Sequence, residues 1–297
     1  MTDQTDNSSV TDVHTLLAQL SDNDISAVSH IADWHSRRRK EQTEPVGDWW
    51  TIWFFKAGRG SGKTRTAVEW VFENAWMTPN SRWLAIAPTY GDLAGVCFEG
   101  ESGFLAVIPR DLIVPNKNGG LYDSTSMEIR LKNGSLIKGI SADNPERLRG
   151  HQWHGAWSDE HASNSPKDAE DILSNIMFAL RLGERPKMII TSTPKPTPFI
   201  KNLVKRSDVV ITTGSSYDNL ENLAPTFRKQ LEVYQGTRLG RQEIYAEILS
   251  DDQEAIIKRS FIKMWPSELP LPHFRYILGS YDTAFSERTR EIGRAHV

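Results

Sequence analysis

The stretch Ala57-Gly-Arg-Gly-Ser-Gly-Lys63-Thr64 constrains this chain more than any other. It follows a short apolar, β-prone run, Thr51-Ile-Trp-Phe-Phe55, and opens a segment that reads as a helix from Thr64 to Ala75. Strand, glycine-rich turn and helix in that order are the context a phosphate-binding loop requires. Gly58, Gly60 and Gly62 let backbone N–H groups face phosphates with no Cβ in the way. The helix N-terminus adds the positive end of its dipole. The nucleotide-binding positions are then Gly58 to Thr64, Ser61 included. Lys63 bridges the β- and γ-phosphates, and Thr64 offers a hydroxyl to Mg²⁺. The first position is Ala57 where the strict pattern has glycine, but GSGKT in strand–turn–helix context outweighs that departure. Arg59 is either a surface residue on the loop or a guanidinium that senses the γ-phosphate and stabilises transition-state charge.

The pattern downstream predicts an α/β fold. Trp83–Ala87, Gly155–Ser158, Met188–Thr191 and Val209–Thr213 read as short strands. Residues Ile172 to Leu180 carry apolar positions at helical spacing. Met127 to Ser141 alternates around Asn133-Gly134, the signature of a β-hairpin. Strands alternating with helices imply a mainly parallel sheet flanked by helices, with one antiparallel insertion. Ahead of the loop, Leu16, Leu17, Leu20, Ile25, Val28, Ile31 and Ala32 have helical spacing, and the basic run Arg37-Arg38-Arg39-Lys40 reads as a solvated helix end ahead of the alternative, a nucleic-acid site.

Two further stretches bear chemistry. Ala156-Trp-Ser-Asp159-Glu160 ends a strand in two carboxylates. Asp159 is placed to hold Mg²⁺ through its water shell and Glu160 to polarise an attacking water as general base. Thr191-Ser-Thr193-Pro-Lys195-Pro follows the next strand. Its hydroxyls either contact the γ-phosphate and report hydrolysis, with Ser192 and Thr193 the coupling residues, or cap a helix after a Pro-rich loop. His151, His154 and His161 cluster near the acidic pair, and their simplest role is hydrogen bonding, ahead of metal ligation. Trp49 or Trp50 is placed either to stack on adenine or to fill the core.

Composition excludes several classes. Acidic residues (38) and basic residues (35) nearly balance, so neither a histone-like protein nor a polyanionic tail is indicated. The single cysteine, Cys97, forbids an intrachain disulfide or a multi-cysteine zinc cluster and reads as a small buried residue. No apolar run has membrane length, and MTDQTDNSSVTD is not a signal peptide. A cytoplasmic, reduced protein is expected.

Seven stretches taken in order resemble one family, the large terminase subunit of tailed bacteriophages: AGRGSGKT (57–64), APTY (87–90), SADNPERLRG (141–150), WSDE (157–160), TSTPKP (191–196), GTRLGRQEIYAEIL (236–249) and GSYDTAFS (279–286). The resemblance implies a P-loop ATPase core of the catalytic-glutamate type that drives double-stranded DNA into a procapsid. It implies ATP and Mg²⁺, sequence-independent contact with DNA, a portal protein and a small terminase subunit as partners, and a homo-oligomeric ring. It places the protein in the cytoplasm of the infected host, transiently at the procapsid portal. Arg147 and Arg149 become candidates for an arginine finger acting in trans or for DNA phosphate contacts.

The expected organisation is a helical N-terminal segment (1–45), the ATPase core (46–214), a helical linker (215–250), the start of an RNase H-like nuclease (251–290) and a non-native tail (291–297). The tail can be back-translated into a common sequencing-adapter sequence. By resemblance Asp282 is the first metal-binding carboxylate of a two-metal nuclease, whose remaining ligands this chain does not reach, so nuclease activity is not expected of it. The competing readings are a helicase-like translocase and a P-loop switch without sustained turnover. Helicases usually carry a second motor domain, and switches commonly lack a glutamate beside the Mg²⁺ aspartate.

Overall fold

The β-prone run ahead of the glycine-rich loop forms strand β1, Ile52–Ala57, and the residues after the loop form helix α2, Lys63–Met77. Helix α1, Asp22–Arg37, precedes them. The structure, a computed structural model, describes residues 20–143 and 145–249. The expected nuclease strand with Asp282, the tail and Leu16 and Leu17 lie outside the described residues.

Strands β2 (Arg82–Ala87), β3 (Glu128–Arg130), β4 (Leu136–Ser141), β5 (Gly155–Asp159), β6 (Lys187–Ser192) and β7 (Val209–Gly214) complete the described sheet. Its order is β3-β4-β2-β5-β6-β1-β7. Every pairing is parallel except that of β3 with β4, the hairpin signalled by Asn133-Gly134. The amide of Asn133 donates to the carbonyls of Ala75 and Trp76, which ties the hairpin tip to the end of α2.

Alternation along the strands divides the core. On β1, Trp53, Phe55 and Ala57 face α1 and α2, whereas Ile52 and Phe54 face α3 (Pro166–Ala179) and α4 (Pro198–Leu203). Trp50, Trp53, Trp70, Trp76, Trp83 and Trp157 all lie in the first of these cores. Trp53, Trp70 and Trp83 form a run of edge-to-face rings at 6.5 and 5.6 Å between β1, α2 and β2, a geometry that adds to burial. Helix α1 is capped by Ser21 and tied to α2 by His30–Glu69 and His35–Glu73 contacts at 2.9 and 2.8 Å. Trp34 of α1 is buried, and Ile25 and Val28 are exposed.

After β7 come a 3₁₀ segment (Ser216–Asn222), α5 (Pro225–Tyr234) and α6 (Arg238–Glu243). They belong to the same compact unit as the sheet. Among the described residues, no helix is long and apolar enough to cross a membrane.

Candidate functional site

Parallel strands deliver their C-terminal ends to one edge of a sheet, and in such folds ligands bind there. Here β6 lies between β1 and β5, and Asp159 on β5 pairs in register with Thr191 on β6, which in turn pairs with Phe55 on β1. The glycine-rich loop, the acidic pair and the Thr191–Thr193 segment therefore emerge side by side. They border an open cleft of about 880 Å³.

Gly62 turns the chain into α2 with φ 86° and ψ 23°, a left-handed conformation that favours glycine. Lys63 is 8% exposed, and its ammonium donates to the carbonyls of Ala57 (3.0 Å) and Gly58 (3.1 Å) and to Thr193 Oγ1 (3.3 Å). It also stands 3.6 Å from Glu160 Oε1. The ammonium thus lies across the mouth of the loop, between the backbone that would cradle phosphates and the two segments expected to act on them. Arg59, Ser61, Gly62 and Thr64 all line the cleft.

Asp159 is buried beneath this floor. Its Oδ1 accepts a 2.7 Å hydrogen bond from Thr191 Oγ1, whose own oxygen accepts from the Trp157 indole at 2.8 Å. With the indole donating to its oxygen, the threonine donates to the carboxylate at 2.7 Å, with the Ser158 carbonyl a longer second acceptor at 3.4 Å. Oδ2 faces the buried Cys97 thiol at 4.0 Å. Burial, and the Asp159 charge after it, push that thiol well up, so it stays protonated. Burial also raises the Asp159 carboxyl to about 6, reinforced by Glu160 and opposed by the Thr191 hydrogen bond and Lys63. A buried carboxylate so poorly compensated suits a cation. Asp159 and the Thr64 hydroxyl together fit the sparse protein share of a Mg²⁺ shell otherwise filled by phosphates and water.

Glu160 reaches the cleft by a backbone device. Alternation along β5 puts Trp157 on the α2 face and Ser158 on the α3 face, so continued strand geometry would send Glu160 away from the loop. Instead Glu160 adopts φ 41° and ψ 42°, a left-handed conformation that costs a non-glycine residue about 1–2 kcal/mol. Its Oε2 then accepts the Thr193 N–H at 3.2 Å and the Ser192 hydroxyl at 3.4 Å. The expectation that both acids face the cleft is met in part: Glu160 lines it, and Asp159 forms its buried support.

The Arg59 side chain is 75% exposed and bonded to Glu243 of α6 at 2.7 Å, which raises its proton affinity. The basic run is no simple solvated helix end: α1 stops at Arg37, and Arg39 turns inward to donate to the Ser61 carbonyl and to Asn219 Oδ1. Neither Trp49 nor Trp50 reaches the cleft. Trp50 is buried under the Lys187 ammonium, and Trp49 is exposed beside Gly47. Arg147 and Arg149 are exposed and border a separate cavity of about 420 Å³ with Lys138 and His151. The three histidines do not converge. His154 accepts the Arg82 N–H, His151 stacks near Trp153, and His161 is buried and doubly hydrogen-bonded.

Sequence reasoning missed Arg39, Thr191 as the Asp159 partner, and the contribution of the segment after β7. There Ser216 donates to the Arg59 carbonyl at 2.7 Å, Asn219 donates to the Gly60 carbonyl at 2.6 Å, and the Glu243 carbonyl accepts the Arg59 N–H at 2.8 Å. The loop is clamped from outside by residues more than 150 positions away.

The raised Asp159 carboxyl has a consequence for stability. Its folded value of about 6 exceeds its ordinary 3.8, so the folded state holds the proton more tightly and stability falls as pH rises through that window. An Asp159→Asn variant escapes this loss. Compared with the wild type in EDTA, it is expected to match at pH 4 and to gain on the order of 2–3 kcal/mol by pH 7. His161, driven to about 4 by burial, contributes the opposite slope in both proteins and cancels from the difference. Urea denaturation across pH 4–7 checks this, and a pH-independent difference would refute it.

The profile described as "Terminase large subunit, T4likevirus-type, N-terminal" matches residues 54–264. Among solved structures, the chain is similar to the large terminase ATPase domain of Thermus phage P74-26, with 19% identity, TM-score 0.51, and coverage of 69% of this chain and 94% of that one. It is also similar to the large terminase of the thermophilic bacteriophage D6E in complex with ADP (13% identity, TM-score 0.53) and with ATP-gamma-S (14%, 0.52), each covering 75% of this chain and 52% of that one. The chain thus spans about half the length of the D6E protein. Comparison with curated proteins gives no match.

Proposed function

Since the chain belongs to the terminase large subunit family, we propose that it hydrolyses ATP to drive double-stranded DNA into a procapsid, with Glu160 as general base. The observation that carries this reading is the left-handed turn at Glu160, which brings a carboxylate into the cleft 3.6 Å from the loop lysine. A nucleotide switch has no need of a base held at that place.

In the proposed reaction, the phosphates lie along the loop N–H groups and the N-terminus of α2. Lys63 neutralises charge on the β- and γ-phosphates. Glu160 accepts a proton from water as the water oxygen bonds to the γ-phosphorus and the bond to the bridging oxygen breaks. Thr64 and, through water, Asp159 would hold a Mg²⁺ ion, which would supply charge neutralisation to the phosphates. Positioning and electrostatics do the rest, since phosphoryl transfer needs little covalent help from a protein.

The segment Thr191–Thr193 links the two halves of this site. Thr191 holds Asp159, Ser192 and the Thr193 N–H hold Glu160, and Thr193 Oγ1 accepts from Lys63. One short segment therefore touches the loop lysine and both acids, which suits a coupling role for Ser192 and Thr193. Arg59 and Glu243 offer the outward connection, from the loop to α6. An arginine finger from a neighbouring copy in a ring, Arg147 or Arg149, is consistent with their exposed position away from their own cleft. Near-neutral net charge suits a motor that grips and releases DNA through few phosphate contacts. The portal protein and a small terminase subunit are the proposed partners, and the host cytoplasm is the proposed location.

The test is steady-state ATP hydrolysis by the chain, alone and with linear double-stranded DNA and portal. Turnover is expected, and it should be abolished by Lys63→Ala. Nucleotide binding without turnover under all these conditions would overturn the motor reading in favour of a switch.

A further inference from the structure

We propose that His161 is a positioning residue for Glu160, holding the left-handed turn that aims the carboxylate into the cleft; this rests on the hydrolytic reading above. A strained backbone conformation persists only where its surroundings over-determine it. The residue after Glu160 supplies that constraint.

The His161 ring is fully buried. Its Nε2 lies 2.9 Å from the Ala169 carbonyl, which can only accept, so Nε2 carries the proton and donates. Nδ1 is then the acceptor, and the Ser158 hydroxyl donates to it at 2.7 Å. One face of the ring lies 4.9 Å from Phe199, tilted by 31°. The imidazole thus joins the end of β5, helix α3 and helix α4 through three contacts, each with a different element. Two backbone bonds finish the turn: the Ser163 N–H donates to the Glu160 carbonyl at 2.8 Å, and the Ala162 N–H donates to Ser192 Oγ at 3.1 Å.

The arrangement accounts for the reversal of side-chain direction at Glu160. Ser158 and His161 both point to the α3 face and bind each other, so the chain between them must loop back within three residues. Glu160 is expelled toward the opposite side, where Thr193 and Lys63 receive it. Removal of the imidazole bonds lets residue 160 relax toward ordinary backbone geometry and swings the carboxylate off the water it must polarise. Misplacement of a catalytic group by about 1 Å costs about 100-fold in rate.

The experiment compares His161→Phe, which keeps the ring and its packing on Phe199, with His161→Gln, whose amide can still donate to Ala169. Each is made in the wild type and in Glu160→Gln. His161→Phe is expected to lower kcat about 10–100-fold while Mg·ADP affinity changes less than about threefold, and His161→Gln to recover most of the loss. In the Glu160→Gln background the same substitution should change the residual single-turnover rate by less than about threefold, because a residue acting through Glu160 has nothing left to act on. Equal losses in both backgrounds, or an unchanged kcat in the wild type, overturn the proposal. If His161→Phe does not fold, Ser158→Ala, which removes the donor to Nδ1, carries the same comparison, with a loss expected only where Glu160 is intact. A crystal structure of the variant is independent of turnover. A Glu160 carboxylate moved away from the Thr193 N–H supports the assignment, and an unmoved one refutes it. A wild-type chain without turnover overturns the hydrolytic reading, and the crystal structure then decides the positional claim on its own.

Discussion

Glu160→Gln is expected to lower kcat for ATP hydrolysis by about 1,000-fold while leaving ADP and ATP-gamma-S affinity within about threefold of wild type. General-base catalysis contributes about 10²–10⁴ in rate, and among the described residues Glu160 is the carboxylate on the cleft wall that faces both the loop lysine and the Thr191–Thr193 segment. The amide is nearly isosteric. Its oxygen can keep the Thr193 N–H bond, so the turn and the fold survive. What disappears is a basic oxygen and the ion pair to Lys63; that ammonium, on a side chain only 8% exposed, keeps the Ala57 and Gly58 carbonyls and Thr193 Oγ1 as partners, which limits the loss of stability. In the proposed reaction nucleotide binding rests on the loop N–H groups and Lys63, none of which the substitution replaces, and Lys63 keeps its bonds to the Ala57 and Gly58 carbonyls. Steady-state kinetics with nucleotide titration separate the two effects. A kcat within tenfold of wild type would place the base elsewhere. A parallel loss of binding would mean that Glu160 is structural.

That prediction draws on both what the sequence showed and what it hid. The loop lysine, Asp159 and Glu160 were legible because each belongs to a short contiguous pattern whose spacing carries its chemistry. The hairpin at Asn133-Gly134 was legible for the same reason. The strand order was not, since nothing local states that β6 lies between β1 and β5. Only that order brings Thr191 under Asp159 and Thr193 beside Lys63. The conformation of Glu160 was hidden too. We assign the left-handed turn to a histidine bonded into two other elements, which no local pattern announces. Arg39 was misread because charge runs are usually solvated, and its partners Ser61 and Asn219 are 22 and 180 residues away. Trp49 and Trp50 sit near the loop in sequence but not in space, because β1 carries the chain across the whole sheet before the loop begins.

Gly58→Ala is expected to reduce hydrolysis at least tenfold and to lower the melting temperature by roughly 3–10 °C, and the reason differs from the one the motif suggests. Sequence reasoning gives Gly58 the task of exposing N–H groups to phosphate. In the structure its φ is not in the left-handed region, so the backbone itself would accept alanine. Space does not: a Cβ at this position would lie 2.3 Å from the Ile244 carbonyl oxygen, 2.6 Å from Ser216 Oγ and 2.8 Å from the Glu243 carbonyl oxygen. These are the residues that clamp the loop from the segment after β7, through Ser216 to the Arg59 carbonyl and the Glu243 carbonyl to the Arg59 N–H. One methyl group therefore forces either the loop or the clamp to move. Overpacking of this kind costs about 1–3 kcal/mol, which for a domain of this size shifts melting by roughly 2–4 °C per kcal/mol. The backbone-entropy gain of replacing glycine, about 0.4–1 kcal/mol, offsets only part of that. Gly91→Ala is the control, since its Cβ meets nothing closer than Thr89 Oγ1 at 3.7 Å. A Gly58→Ala protein as stable and active as the control would show that the clamp yields without consequence and that α6 is not mechanically coupled to the phosphate loop. A protein that keeps nucleotide affinity but loses both stability and turnover would place the coupling where Gly58, Arg59 and Glu243 meet.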